Sequence, residues 1–139
     1  MTNKRRIDAD ARAPRAPAAS LARRLADWAV ALRPADIPQR QRRLAGLRVI
    51  DTLGLVLAGC RTPAATAVYD LAAAAGGRPE APLVGARARV PMAMAALAHG
   101  PAAHCRDFDD TLTDSVDHPG SVLVPVALAL GEARHAAHE

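Results

Sequence analysis

The chain has 139 residues, half of them apolar but with a single Phe, Tyr and Trp, so its core must come from alanine, leucine and valine on closely packed helices. That is enough for one domain or part of one, and the composition favours an all-α bundle. The formal charge of +4 divides into +8 over residues 1–61 and −4 over residues 62–139, and with almost no aromatic residues to stack on bases the basic half reads as solvated helix faces, which argues against nucleic acid as a partner.

Residues 1–19 mix charge, alanine and proline without an apolar stripe and are predicted to form a disordered arm. Ser20 then caps a helix whose apolar stripe is Leu21, Leu25, Trp28 and Leu32, with Trp28 expected in the core. Beyond Asp36-Ile37-Pro38 a long helix runs to Gly59. Its second half, from Val49, is apolar nearly all round and is expected to be the buried centre, which would leave Asp51 needing partners and would explain Gly46 and Gly54 by close approach of a neighbouring backbone.

Thr62-Pro63 opens a third helix and Gly76-Gly77 closes it, after which APLVGARARVP reads as a hairpin-like link turning at Gly85. A helix from Met92 to about Arg106 is predicted to kink or break at Gly100-Pro101. A final buried helix follows from Pro119 to about His138, bent by Pro125. The sum is all-α: a bundle of five or six helices over residues 20–139. Cys60 and Cys105 lack metal-binding spacing and are expected to be small core residues. Without a run of eighteen apolar residues or an N-terminal signal, the reading is of a soluble cytoplasmic protein with no membrane partner.

The segment DFDDTLTDSVDHP, residues 107–119, carries five aspartates and one histidine. As D-x-D-x-T it is similar to the nucleophile loop of haloacid dehalogenase-type phosphatases, but that chemistry needs a buried parallel strand just upstream, where AAHCR reads as helix. Asp109, Asp110 and Asp114 could hold magnesium for a diphosphate synthase, yet no second acidic motif accompanies them. A calcium loop fails because Leu112 stands where glycine is needed and His118 where glutamate is needed. General acid/base work by Asp107 and His118 remains, since an imidazole titrates near neutrality and a neighbouring carboxylate fixes its tautomer. On the residues alone, an aspartate-rich solvated loop stays open beside it.

Several motifs in chain order resemble the MmgE/PrpD family: IDTLGLVLAG at 50–59, LVGARARVPMAMAALAHG at 83–100, H-x-x-DFDDT from His104 to Thr111, His118-Pro119, and the closing LALGEA. The resemblance spans residue 20 to the end and implies the N-terminal part of a helical domain. It further implies a lyase or isomerase needing neither cofactor nor metal, acting on small di- or tricarboxylates as 2-methylcitrate dehydratase and cis-aconitate decarboxylase do. By the same resemblance Asp107 and His118 line the active site, and His104, Asp109, Asp110 and Thr111 support the loop. Leu112 departs from the histidine that many members carry after DDT. Family enzymes are several times longer and commonly homodimeric, so the chain is read as a fragment or split part of such an enzyme. A polyanionic substrate also needs cations, and the only lysine is Lys4, which points to a separate chain supplying the rest. The alternative is a non-catalytic helical interaction module.

Overall fold

The computed structural model describes residues 19–135, which fall into two compact units divided between Ile37 and Pro38. The predicted arm, but for Ala19, lies outside the described residues. In the first unit, helix α1 (Leu21–Ala31) begins where the Ser20 hydroxyl accepts the Arg23 amide, and a 3-10 turn follows at Pro34–Asp36. Trp28 is 62 % exposed and no residue of α1 is buried, so the core placement expected for it is wrong.

The second unit is built from α2 (Gln39–Gly59), α3 (Pro63–Ala74), a two-stranded antiparallel hairpin of β1 (Ala81–Pro82) and β2 (Arg89–Val90), α4 (Met92–His104) and α5 (Pro119–Arg134). The fold among the described residues is therefore mostly helical, and no helix is long and apolar enough to cross a membrane. Helix α4 is the hub, touching α2, α3, α5 and both strands. It can do so because its buried face is Ala95, Ala98, His99, Ala102 and Ala103, a stripe at helical spacing with almost no side-chain bulk. Small faces let helix axes approach closely, and among the described residues the largest fully buried side chains are Leu83 and Val56.

At the tightest crossing, Gly59 of α2 lies against Ala102 of α4. A Cβ there would stand 1.9 Å from the Ala102 carbonyl oxygen. Gly46 and Gly54 differ: nothing lies within 4 Å of a Cβ added at either, so the close approach expected for them does not occur. Nor is α2 buried all round. It buries Thr52, Val56 and Gly59, one narrow stripe, while Leu47, Ile50 and Leu57 are exposed, and Asp51 faces solvent and needs no partner. Helix α5 repeats the pattern, burying Gly120, Ser121, Pro125 and Ala129 and exposing Val122, Leu123, Val126 and Leu130.

Pro101 does not break α4, which continues to His104 with the Cys105 amide bonded to the Pro101 carbonyl at 2.9 Å. Pro125 likewise sits inside a continuous α5. A proline deprives the carbonyl four residues earlier of its donor, and for Pro125 that is Ser121, whose oxygen faces Gly100 of α4. Of the two thiols, Cys60 is buried as expected but Cys105 is exposed.

The hairpin is held by both polar groups of one residue. The Val84 amide donates to His99 Nε2 at 2.9 Å, and the Tyr69 hydroxyl donates to the Val84 carbonyl at 3.0 Å. Burial, with the charge of Cys60 nearby, pushes the Tyr69 hydroxyl up to about 12. Burial also lowers the His99 pKa below its ordinary 6.5 by penalising the charged ring, and Nε2 accepts the Val84 amide proton. Below pH 6.5 the unfolded chain takes up a proton that the folded chain refuses, so His99 makes the fold lose stability as pH falls through that value. The melting temperature is expected to drop between pH 7 and pH 5.5, and His99→Gln, which keeps an acceptor, to flatten that drop; an unchanged slope would show that His99 is not the group responsible.

Candidate active site

The acidic segment joins α4 to α5 and folds back on itself. The Asp107 amide donates to the His104 carbonyl at 2.8 Å, Asp107 and Val116 take left-handed φ values of 55° and 57°, and Leu112 and Asp117 form an antiparallel bridge. Aspartate is among the residues that tolerate this conformation best, whereas a β-branched valine is strained by roughly 1–3 kcal/mol. The loop thus places its five aspartates differently: Asp107, Asp114 and Asp117 are exposed, Asp110 is half-buried and Asp109 is buried.

Asp110 serves the fold. Its Oδ1 accepts the Gly120 amide in the first turn of α5 at 2.8 Å and its Oδ2 pairs with Arg48 of α2, so one carboxylate caps a helix and ties it to another. Gly120 makes room for it, since a Cβ there would stand 2.3 Å from Asp110 Oδ1 and 3.1 Å from Thr52 Oγ1. Gly120→Ala is therefore expected to displace the carboxylate and cost about 1–3 kcal/mol in chemical denaturation. A variant as stable as the parent would refute the cap.

Asp109 turns instead to the histidines. Its side chain is 1 % exposed, and both its oxygens face His104 Nδ1, at 3.1 and 3.0 Å. Burial alone would raise its pKa, but hydrogen bonds from Ser121, His104 and its own amide, with the nearby charge of His104, more than offset this and hold the carboxyl below the ordinary aspartate value. The Ser121 hydroxyl also donates to the His118 carbonyl at 3.0 Å, and with one proton it can serve one acceptor at a time. On the other side of Asp109, His118 Nδ1 stands 3.4 Å from Oδ1, outside hydrogen-bond geometry, sealed from solvent and without a partner. The two imidazoles meet edge to face, with ring centroids 4.8 Å apart.

His118 is the N-cap residue of α5 and Pro119 its first residue, so the start of that helix fixes the place of the ring. Asp107 completes the group: one ligand-capable atom from each of His104, Asp107, Asp109 and His118 lies within 4.8 Å of the others. Such a set can orient a tautomer and exchange protons with a molecule placed against it, and it also has donor types that bind divalent metals.

The structure therefore brings together Asp107, His118, His104 and Asp109 and leaves Asp110 and Thr111 outside that group. Those two instead border a cleft of about 280 Å³ with Arg48, Leu112, Pro119 and Leu123. Sequence reasoning did not separate Asp109 from Asp110, and adjacency alone gave no signal to do so. His99 was missed as the residue fixing the hairpin, although its place in the stripe of Ala95, Ala98 and Ala102 marked a buried ring.

The family model for the MmgE/PrpD N-terminal domain matches residues 23–139. The chain belongs to the MmgE/PrpD family. No curated protein and no solved structure matches it significantly. With the family established over this range, the order of helix, acidic loop and proline-started helix is a feature of its N-terminal domain in this chain, and the helix α4 standing directly before DFDDT leaves no place for the buried strand that a phosphatase loop requires.

Proposed function

We propose that the chain carries the acid/base half of a cofactor-independent lyase or isomerase site for small di- or tricarboxylates, with Asp107 and His118 as the proton-transferring groups. The observation that carries this reading is the convergence of those two with His104 and Asp109 at the junction of α4 and α5. Asp109, as an ionised acceptor, takes the Nδ1 proton of His104 in a hydrogen bond and fixes the orientation of that ring. His118 stands at the α5 terminus within reach of Asp107 and can exchange a proton with a bound molecule, and the exposed carboxylate of Asp107 can face a substrate carbon or leaving group.

Charge argues that this half needs a complement. Asp107 and Asp109 repel a polycarboxylate, and the nearby arginines are engaged: Arg48 with Asp110, and Arg106 through a 3.1 Å bond to the Ala58 carbonyl. Cations from further polypeptide, in the same enzyme or in a separate chain, would hold the substrate, and a homodimer is the assembly this reading favours. Purified alone, the 139 residues are expected to give no product from 2-methylcitrate or cis-aconitate. Coexpression with a polypeptide encoded beside it that carries the remaining helices is expected to give turnover. Product from the isolated chain would overturn the need for a complement.

One observation favours a second reading, a helical interaction module without catalysis. The exposed leucine, isoleucine and valine faces of α2 and α5 are a surface that calls for a covering partner. Turnover by an assembled complex that is indifferent to both Asp107 and His118 would favour it.

A further inference from the structure

We infer that His104, Asp107, Asp109 and His118 form a binding site for one divalent first-row transition metal of the zinc class. The donors are two imidazole nitrogens and two carboxylates, a set suited to zinc, cobalt(II) or nickel(II), while calcium and magnesium prefer oxygen alone.

Distances support closure. Around a tetrahedral zinc with bonds of about 2.0–2.2 Å, donor atoms stand roughly 3.3–3.6 Å apart. Here Asp109 Oδ1 lies 3.1 Å from His104 Nδ1 and 3.4 Å from His118 Nδ1, while one donor atom from each of the four residues falls within 4.8 Å of the others. Contraction of about 1 Å at the widest pair closes the set, and Asp107, on an exposed turn, has room to move.

Independent of the spacing, His118 Nδ1 is buried with no hydrogen-bond partner, although it adjoins a sealed carboxylate. A buried nitrogen lone pair without a donor is costly unless something fills its direction, and a metal ion does so. Charge agrees: the cluster contains two carboxylates, one of them buried, and the neighbouring Arg48 is spent on Asp110. On binding, the ion takes the Nδ1 lone pair of His104, whose ring passes to the tautomer protonated on Nε2, so that the imidazole stays neutral.

The consequence for catalysis rests on the proposed acid/base function: a metal occupying the lone pairs of His118 and Asp107 would block proton transfer, making the site one of inhibition. Binding itself does not depend on that function, so it is read without substrate. Cobalt(II) chloride is titrated into the tag-free 139-residue chain while visible absorption is followed, then zinc chloride is added in competition. The result expected is a saturable band at one cobalt per chain, bleached by one equivalent of zinc. His118→Gln and Asp107→Asn are each expected to weaken cobalt binding by about tenfold or more with unchanged far-ultraviolet circular dichroism, while Cys105→Ser and His135→Gln leave it unaltered. Absence of a saturable band, equal affinity in His118→Gln and Asp107→Asn, or loss of the band in Cys105→Ser would each overturn the site. Binding without turnover in any assembly would leave the metal site standing and remove the lyase reading; turnover without binding would do the reverse.

Discussion

Gly59→Ala is expected to lower the stability of the chain by about 3 kcal/mol, which for a domain of this size moves the melting temperature down by roughly 10–20 °C. The added methyl would stand 1.9 Å from the Ala102 carbonyl oxygen, 2.8 Å from Cys105 Sγ and 3.0 Å from the Ala102 carbonyl carbon. Two of those three atoms are backbone, so no rotamer change relieves the clash and the α2–α4 crossing has to open. The hub helix α4 would then lose its fit to α2 along Val56 and Ala102, two of the most buried residues of the core. Gly54→Ala, in the same helix, is expected to do the opposite, gaining up to about 1 kcal/mol, because its methyl meets nothing within 4 Å and the unfolded chain loses freedom. Thermal denaturation followed by circular dichroism separates the two. Equal melting temperatures for Gly59→Ala and the parent would mean that the crossing is not where the structure has it.

The second large effect belongs to the proposed chemistry. In a complex that turns over a polycarboxylate, His118→Gln or Asp107→Asn is expected to reduce kcat by about 10²–10⁴-fold, the range for removing a general acid or base. Both substitutions keep a polar side chain of similar size, and Asp107→Asn retains a residue that accepts the left-handed φ of 55°. A matching loss in KM alone would instead assign these residues to binding. Asp110→Asn acts elsewhere, through the α5 cap and Arg48, so it is expected to reduce stability more than kcat.

Much of the architecture is legible in the sequence because its signals are local. Pro38 and Gly59 bound α2, Thr62-Pro63 starts α3, and Gly85 with φ 83° turns the hairpin, each through backbone chemistry that a single residue imposes. The errors have a common origin in what packing decides. An apolar run such as that after Val49 shows that a surface avoids water, but not whether another element is there to cover it, and Ile50 is 69 % exposed. Pro101 and Pro125 break local rules yet stay helical, because each costs one hydrogen bond while α4 and α5 are held by long contacts with each other.

The candidate site follows the same division. That Asp107 and His118 frame an acidic loop between two helices is visible from residue types and spacing. That Asp109 is buried between two imidazoles while its neighbour Asp110 turns to Arg48 and Gly120 is a matter of loop path, set by the left-handed residues and by contacts from α2 and α5. His104 gains its importance only through that path, since its place at the last turn of α4 brings it over His118, fourteen residues on in the chain.

The end of α4 and the start of α5 build one site around Asp109. Ring-proton nuclear Overhauser effects between His104 and His118 in the 139-residue chain at neutral pH test it most directly. Edge-to-face rings with centroids 4.8 Å apart predict strong cross-peaks between the two imidazoles, lost in His118→Gln. Two assigned imidazoles with no cross-peak between them in a folded chain would place the rings apart and contradict the account.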